Sequence, residues 1–276
     1  MTNGKLTGDF KITDMNEWVE IIKSNFDSIV PISLIYKGEL ISYGTGTVCT
    51  ENGKILTACH VIEQIKDFEN DIQNLELITR IKDIGLVRYK PLLIGISMSI
   101  PNVADDILID IAILEPLQTI NTKNFMTPML EHCPIDYGES LLLAGFSEET
   151  PFVFNFDKIL GNKIPLDTVN QYKIQLGFMK PPTFKAGILS HKANLYLKGN
   201  MSIISEIYHI DNGMHSGSSG GPIINSHGQF VGIITHRSIV KIKVLVEKKL
   251  FNMETPSGNT FGIGTSAIKC YENLLG

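Results

Sequence analysis

At 276 residues, with 43% hydrophobic residues and a net charge of −5, the chain is long enough for one large domain or two medium ones. Its basic residues are lysines apart from Arg80, Arg88 and Arg237, and they form no long cationic run, which argues against a nucleic-acid partner. The first ten residues lack the apolar core of a secretory signal and no apolar stretch reaches bilayer length, so a cytoplasmic protein with no membrane partner is expected.

In chain order, residues 14–29 open with Asp14 and Glu17 at capping-box spacing, and Met15, Trp18, Val19, Ile22, Phe26 and Ile29 recur at helical steps. One amphipathic helix is predicted there. The period then changes to two: Ile29–Tyr36 reads as a strand, Lys37-Gly38-Glu39 as a turn and Leu40–Tyr43 as the partner. Short β-like runs follow to about residue 262, among them Thr45–Cys49, Ile55–Ala58, Leu86–Tyr89, Leu92–Ile96, Ile111–Leu114, Leu141–Ala144, Ile203–Ile207, Pro222–Ile224 and Phe230–Thr235. Many short strands between turn residues point to an all-β barrel or sandwich. Residues 147–185, with Phe152, Phe154 and Phe156, fit a long insertion or extra strands, and Ser266–Leu275 fits a closing helix.

Cys49, Cys59, Cys133 and Cys270 are too few and too scattered for a disulfide framework and are expected as thiols. No metal-ligand or phosphate-loop spacing is present, so no metal and no cofactor are expected.

The chemistry concentrates in His215-Ser216-Gly217-Ser218-Ser219-Gly220-Gly221-Pro222. A linker would have polar neighbours, yet this run leads straight into Ile223-Ile224. A serine hydroxyl becomes a nucleophile when an imidazole takes its proton and a carboxylate holds that imidazole. Glycines around it let the backbone aim N–H groups at the oxyanion that forms. The pattern Gly217-x-Ser219-x-Gly221 also suits a nucleophile elbow, but that fold needs its acid and then its histidine after the serine. No Asp or Glu lies between Ser219 and the last histidine, His236, so that reading fails.

Gly217-Ser218-Ser219-Gly220-Gly221-Pro222 resembles the nucleophile motif of chymotrypsin-like serine peptidases. Gly44-Thr45-Gly46-Thr47-Val48 and Gly53–Val61, containing Thr57-Ala58-Cys59-His60, look like that family's strand pair ending at the base, and Asp110-Ile111-Ala112-Ile113-Leu114 like the strand headed by its acid. Asp105 and Asp106 compete with Asp110 but do not head an alternating strand. Further stretches, Tyr137–Phe146, Ala186–Ser190 and Gly228–Thr235, resemble the compact bacterial branch that includes HtrA-type proteases, without a PDZ domain.

The resemblance spans roughly residues 30–275 and implies two packed six-stranded antiparallel β-barrels. The expected organisation is an N-terminal extension with its helix (1–29), a first barrel lobe (30–125) and a second lobe with a C-terminal helix (126–276). It implies a serine endopeptidase acting on polypeptides, with His60 as general base, Asp110 as its orienter, Ser219 as nucleophile and the Gly217 and Ser219 amides as oxyanion hole. The substrate-binding walls carried over are Gly213, Met214, His215 and Ser216 on one side and Ile234, Thr235, His236 and Arg237 on the other. Gly213 brings no carboxylate for a basic P1 residue, so a small or medium apolar P1 is expected, with an acidic one turning on Arg237 or His236. The Thr235 hydroxyl is a candidate to help hold Asp110. Ser218 departs from the family's acidic or amide residue, and Cys59 from its commoner alanine. The rival reading is a catalytically silent domain of the same fold acting as a binding or scaffold module, and the N-terminal helix is a candidate dock for a regulatory protein partner.

Overall fold

The structure, a computed structural model, describes residues 15–98, 107–147, 180–196, 203–246 and 249–276. Asp14, with the expected capping box, and Asp105, Asp106 and Phe152–Phe156 lie outside those residues. Helix α1 spans Met15–Asn25 and passes through a short 3-10 turn, Phe26–Ser28, into the first strand. The helix is thus shorter than its apolar pattern, because Ile29 already pairs in the sheet.

Six strands close the first barrel: β1 (Ile29–Tyr36), β2 (Glu39–Val48), β3 (Ile55–Thr57), β4 (Leu75–Ile81), β5 (Gly85–Met98) and β6 (Ile107–Pro116), in the order β1-β2-β3-β6-β5-β4. The two runs read as Leu86–Tyr89 and Leu92–Ile96 are one strand, β5, with register shifts at Pro91/Leu93 and Ile94/Ile96. Six more strands close the second barrel: β7 (Ser140–Gly145), β8 (Thr183–Tyr196), β9 (Ile203–Ile210), β10 (Pro222–Ile224), β11 (Phe230–Val246) and β12 (Lys249–Gly264), in the order β10-β11-β12-β9-β8-β7. All pairings named are antiparallel. The chain closes in 3-10 turns over Thr265–Leu274, broken at Tyr271, where an ordinary helix was expected.

Alternation explains both interiors. Ile32, Leu34, Ile55, Ile111 and Ile113 fill the first barrel, and Leu141, Leu143, Leu189, Ile210, Ile223 and Val231 the second. Each such side chain contributes about 1.5–3 kcal/mol by leaving water. The first core continues into Leu142, Ile224, Phe230, Ile233 and Ile263 of the second barrel, so the lobes share an apolar seam. Helix α1 lays Trp18, Ile21 and Ile22 against that core, and Ile21 sits over Gly228 in the β10–β11 turn. The ring of Phe26 stacks on Phe184 of β8 at 6.0 Å. Among the described residues no helix is long and apolar enough to cross a membrane.

Candidate active site

Pairing of β3 with β6, with Thr57 opposite Ala112, carries the turn after β3 next to the head of β6. His60 lies in that turn, a 3-10 segment over Cys59–Val61, and Asp110 lies on β6. The two are bonded twice. Asp110 Oδ2 is 2.7 Å from His60 Nδ1, and Oδ1 accepts the His60 main-chain N–H at 2.9 Å. The double contact fixes both the ring and the loop that carries it, and a carboxylate at Nδ1 favours the tautomer that leaves Nε2 with its lone pair.

Burial alone would lower the His60 pKa, but the Asp110 hydrogen bond and charge, helped by Glu63, outweigh it and hold the imidazole above its ordinary value. Beside it, burial and then the Asp110 charge push the Cys59 thiol up to about 11, and burial pushes Cys49 up to about 12. Both sulfurs stay protonated at neutral pH, so neither competes as a nucleophile. All four cysteines are free thiols.

Ser219 is presented by the turn before β10. Gly217 (φ +87°) and Gly220 (φ +86°) both have left-handed backbone there. A Cβ at Gly220 would stand 2.1 Å from Thr45 O and from Thr57 Oγ1 and 2.8 Å from Ala58 N, so only glycine lets the Ser219 turn press against the segment that leads to His60. Gly145 of β7 supports it from behind, where a Cβ would meet Ser218 Cα and Cβ at 2.8 Å. The turn is closed by Ser218 N–H to His215 O (3.2 Å), Gly221 N–H to Ser218 O (3.0 Å) and Gly220 N–H to Ile234 O (2.7 Å). Among the described residues no main-chain carbonyl takes the N–H of Gly217 or of Ser219.

One residue absent from the sequence reading of the site ties these parts together. Thr45 of β2 donates its N–H to Ser219 O (2.8 Å) and its hydroxyl to Gly217 O (2.8 Å), while its hydroxyl accepts the Phe146 N–H (2.8 Å) and its carbonyl accepts the Thr57 hydroxyl (2.7 Å). It is fully buried. The N–H and hydroxyl of Thr45 thus join the two barrels beside Ser219, while its carbonyl stays bonded within the first barrel. Its sequence signal was its place between Gly44 and Gly46.

The Ser219 hydroxyl donates to Thr235 O at 2.9 Å, and among the described residues it makes no hydrogen bond to His60. The Thr235 hydroxyl lies 3.1 Å from His236 Nδ1 and 3.3 Å from Phe261 O, so its described bonds run along β11 and β12 and not to Asp110. His236 is stacked on Phe261 at 4.8 Å, and its pKa is lowered by burial, against the Asp110 charge and with the help of His60.

The remaining wall residues divide by depth. Met214 and Ile234 are 4% and 2% exposed and belong to the second-barrel core, whereas His215, Ser216 and Arg237 are half-buried. Met214 N–H donates to Thr260 Oγ1 at 2.8 Å. Gly213 packs flat on Gly258, and its carbonyl accepts the Lys185 ammonium at 2.6 Å, a cation beside the pocket segment that the sequence reading did not single out. Among the described residues there is no cluster of metal-ligating side chains.

Residues 44–233, most of the chain, match the trypsin-like peptidase domain. The chain belongs to this family. No curated protein sequence matches it. Solved structures that superpose on this trypsin-like domain include Deg5 (TM-score 0.51, 18% identity, 80% of this chain and 84% of that one). The Rv3671c protease, from M. tuberculosis H37Rv, in an inactive form, gives a TM-score of 0.50 at 14% identity over 93% of both chains. The HtrA-type protease AlgW, solved as a variant with a tripeptide, gives 0.52 at 16% identity over 94% of this chain and 63% of that one. At such identities these likenesses carry the fold alone.

Proposed function

We propose that this trypsin-like domain is a serine endopeptidase that cleaves polypeptides through an acyl-enzyme. The observation that carries the reading is the pair of hydrogen bonds between Asp110 and His60, 2.7 Å at Nδ1 and 2.9 Å at the main-chain N–H, on a turn pressed against the one that bears Ser219. Asp110 holds Nε2 toward substrate, and His60 takes the Ser219 proton as the oxygen attacks the peptide carbonyl. The same proton leaves on the departing amine. Water, deprotonated by His60 in its turn, releases the acyl group and restores the hydroxyl. The Gly217 and Ser219 N–H groups serve as donors to the oxyanion, each worth on the order of 3 kcal/mol of barrier. No cofactor is required.

The resting bond from Ser219 to Thr235 O gives substrate a part in arming the nucleophile. A P1 N–H that claims the Thr235 carbonyl displaces the serine hydroxyl, which then turns to His60 Nε2. The same bond is the observation that favours the second reading, a catalytically silent binding domain in which the hydroxyl stays parked. Labelling with a fluorophosphonate separates the two. Rapid labelling of wild type that is lost in Ser219→Ala and strongly slowed in His60→Ala supports the peptidase; no labelling with or without peptide supports the silent domain.

A further inference from the structure

β11 does not end where the barrel ends. On one side its pairing with β10 stops at Pro222–Ile233, after which the Ser219 turn takes over through Gly220 N–H to Ile234 O and Ser219 Oγ to Thr235 O. On its other side β11 stays laddered to β12 as far as Val246, with register shifts at Ile234/His236 and Arg237/Ile239 that bend the strand as it leaves the barrel. The outer part is a two-stranded arm of eight consecutive pairs, from Ile239–Pro256 to Val246–Lys249. Along Ile239–Val246 the side that faced β10 has no partner strand among the described residues. At about 3.3 Å per residue this is roughly 26 Å of strand edge with no partner among the described residues.

An edge of that length offers alternating N–H and C=O groups to any extended chain laid beside it. Its position decides which chain. It continues the strand that carries Thr235, whose carbonyl already serves as an acceptor beside Ser219, and a peptide running antiparallel to β11 from that point sends its residues N-terminal to the reacting carbonyl out along the arm.

We propose that this edge binds the N-terminal side of the substrate as an added β-strand, so that the preferred substrate is an unfolded polypeptide with about eight to ten residues ahead of the cleaved bond. This rests on the peptidase reading for the direction of the bound chain. The arm's backbone supplies affinity with little side-chain selectivity, as ladder hydrogen bonds do.

The test uses a peptide series with one fixed core, taken from a site cut in reduced, carboxymethylated lactalbumin, or a Thr-Val-Thr-Val core if no bond is cut. The core is extended N-terminally by alternating Thr and Val to four, seven and ten residues. Cleavage by wild type is measured beside binding of the same fluorescein-labelled peptides to Ser219→Ala by anisotropy. Both kcat/KM and affinity rise roughly tenfold or more between four and ten residues. Replacing Val240–Thr255 by Asn-Gly, a turn suited to close the shortened hairpin, removes that gain while fluorophosphonate labelling and cleavage of the four-residue peptide persist. If the shortened protein does not fold, N-methylation of alternate amides in the ten-residue peptide makes the same distinction on wild type, since it cancels the gain only where the amide pairs with β11.

Length dependence of binding without any cleavage would leave the edge standing and remove the peptidase reading. Cleavage with no length dependence beyond four residues would do the reverse. Neither binding nor cleavage overturns both. A wild-type dimer in sedimentation that the shortened arm loses, with no effect of peptide length, assigns the edge to self-pairing and overturns the proposal.

Discussion

The hydroxyl of Thr45 donates to the carbonyl of Gly217 across 2.8 Å and 172 residues of chain. That bond fixes the plane of the Gly217–Ser218 peptide, and the accepting bond from Phe146 N–H locks the hydroxyl's own rotation. Thr45→Val keeps the shape and deletes both. Leaving Gly217 O and Phe146 N–H buried without their partner costs about 1–3 kcal/mol each in the worst case. If the turn shapes an oxyanion hole, kcat falls on the order of 10- to 1,000-fold while KM changes little. Thr45→Ser restores most of kcat, which a loss due to packing alone would not do. Steady-state kinetics on the three proteins decides it.

The pH profile follows from His60. In the proposed mechanism only the neutral imidazole accepts the serine proton, so kcat/KM rises as pH climbs through the His60 pKa. Asp110 and Glu63 hold that pKa above the ordinary 6.5 despite burial, which places the midpoint of the acid limb above 6.5. In Asp110→Asn the opposing influence of burial dominates and the midpoint moves to lower pH, with a rate loss of roughly 10³- to 10⁴-fold from the wrong tautomer. A midpoint that does not move in the variant separates His60 from catalysis.

Ser218 and Gly145 make opposite predictions from one contact. The Ser218 hydroxyl is buried with no hydrogen-bond partner among the described residues, and Gly145 lies against Ser218 Cα and Cβ. Removing an unsatisfied buried hydroxyl is neutral or stabilising by up to about 1 kcal/mol, so Ser218→Ala keeps or raises the melting temperature. Gly145→Ala drives a methyl into the Ser218 backbone; it destabilises by about 1–3 kcal/mol and displaces the Ser219 turn, lowering fluorophosphonate labelling of Ser219. Thermal melts paired with labelling rates check both.

What the sequence revealed of this site was what local patterns encode. His60, Asp110 and Ser219 each stand in a short run whose hydrophobic alternation or glycine content marks it, and the barrels follow from strands such as Ile55–Thr57 and Pro222–Ile224 whose apolar residues are fully buried. Thr45 was not legible as a site residue, because its role arises from a contact with Gly217 formed only after the barrels dock. Lys185 is similar: on β8 it is one lysine among many until the fold sets its ammonium on Gly213 O. The apolar run at Phe230–Thr235 predicts a strand ending at Thr235, whereas β11 runs on to Val246 because its pairing with β12 carries it past His236 and Arg237. Ser266–Leu275 has the composition of a helix, but the kink at Tyr271 leaves 3-10 turns.

In the second barrel, a buried charge secures the segment that leads into β7. The Glu206 side chain is 2% exposed; its Oε1 lies 2.9 Å from the Lys192 ammonium and 3.5 Å from His132 Nε2, and Lys192 also donates to Ile135 O at 2.7 Å. His132 and Ile135 belong to the connection that enters β7, so one carboxylate and one ammonium tie that connection to β8 and β9. Removing a single partner of such a pair strands the other charge, which costs about 3–5 kcal/mol, whereas replacing both by apolar residues of similar volume is often close to neutral. Glu206→Leu and Lys192→Met alone therefore each lower stability by several kcal/mol, and the double variant recovers a large part of the loss. Urea denaturation of the four proteins measures the coupling; simple additivity of the two single losses would show that the pair contributes nothing as a pair.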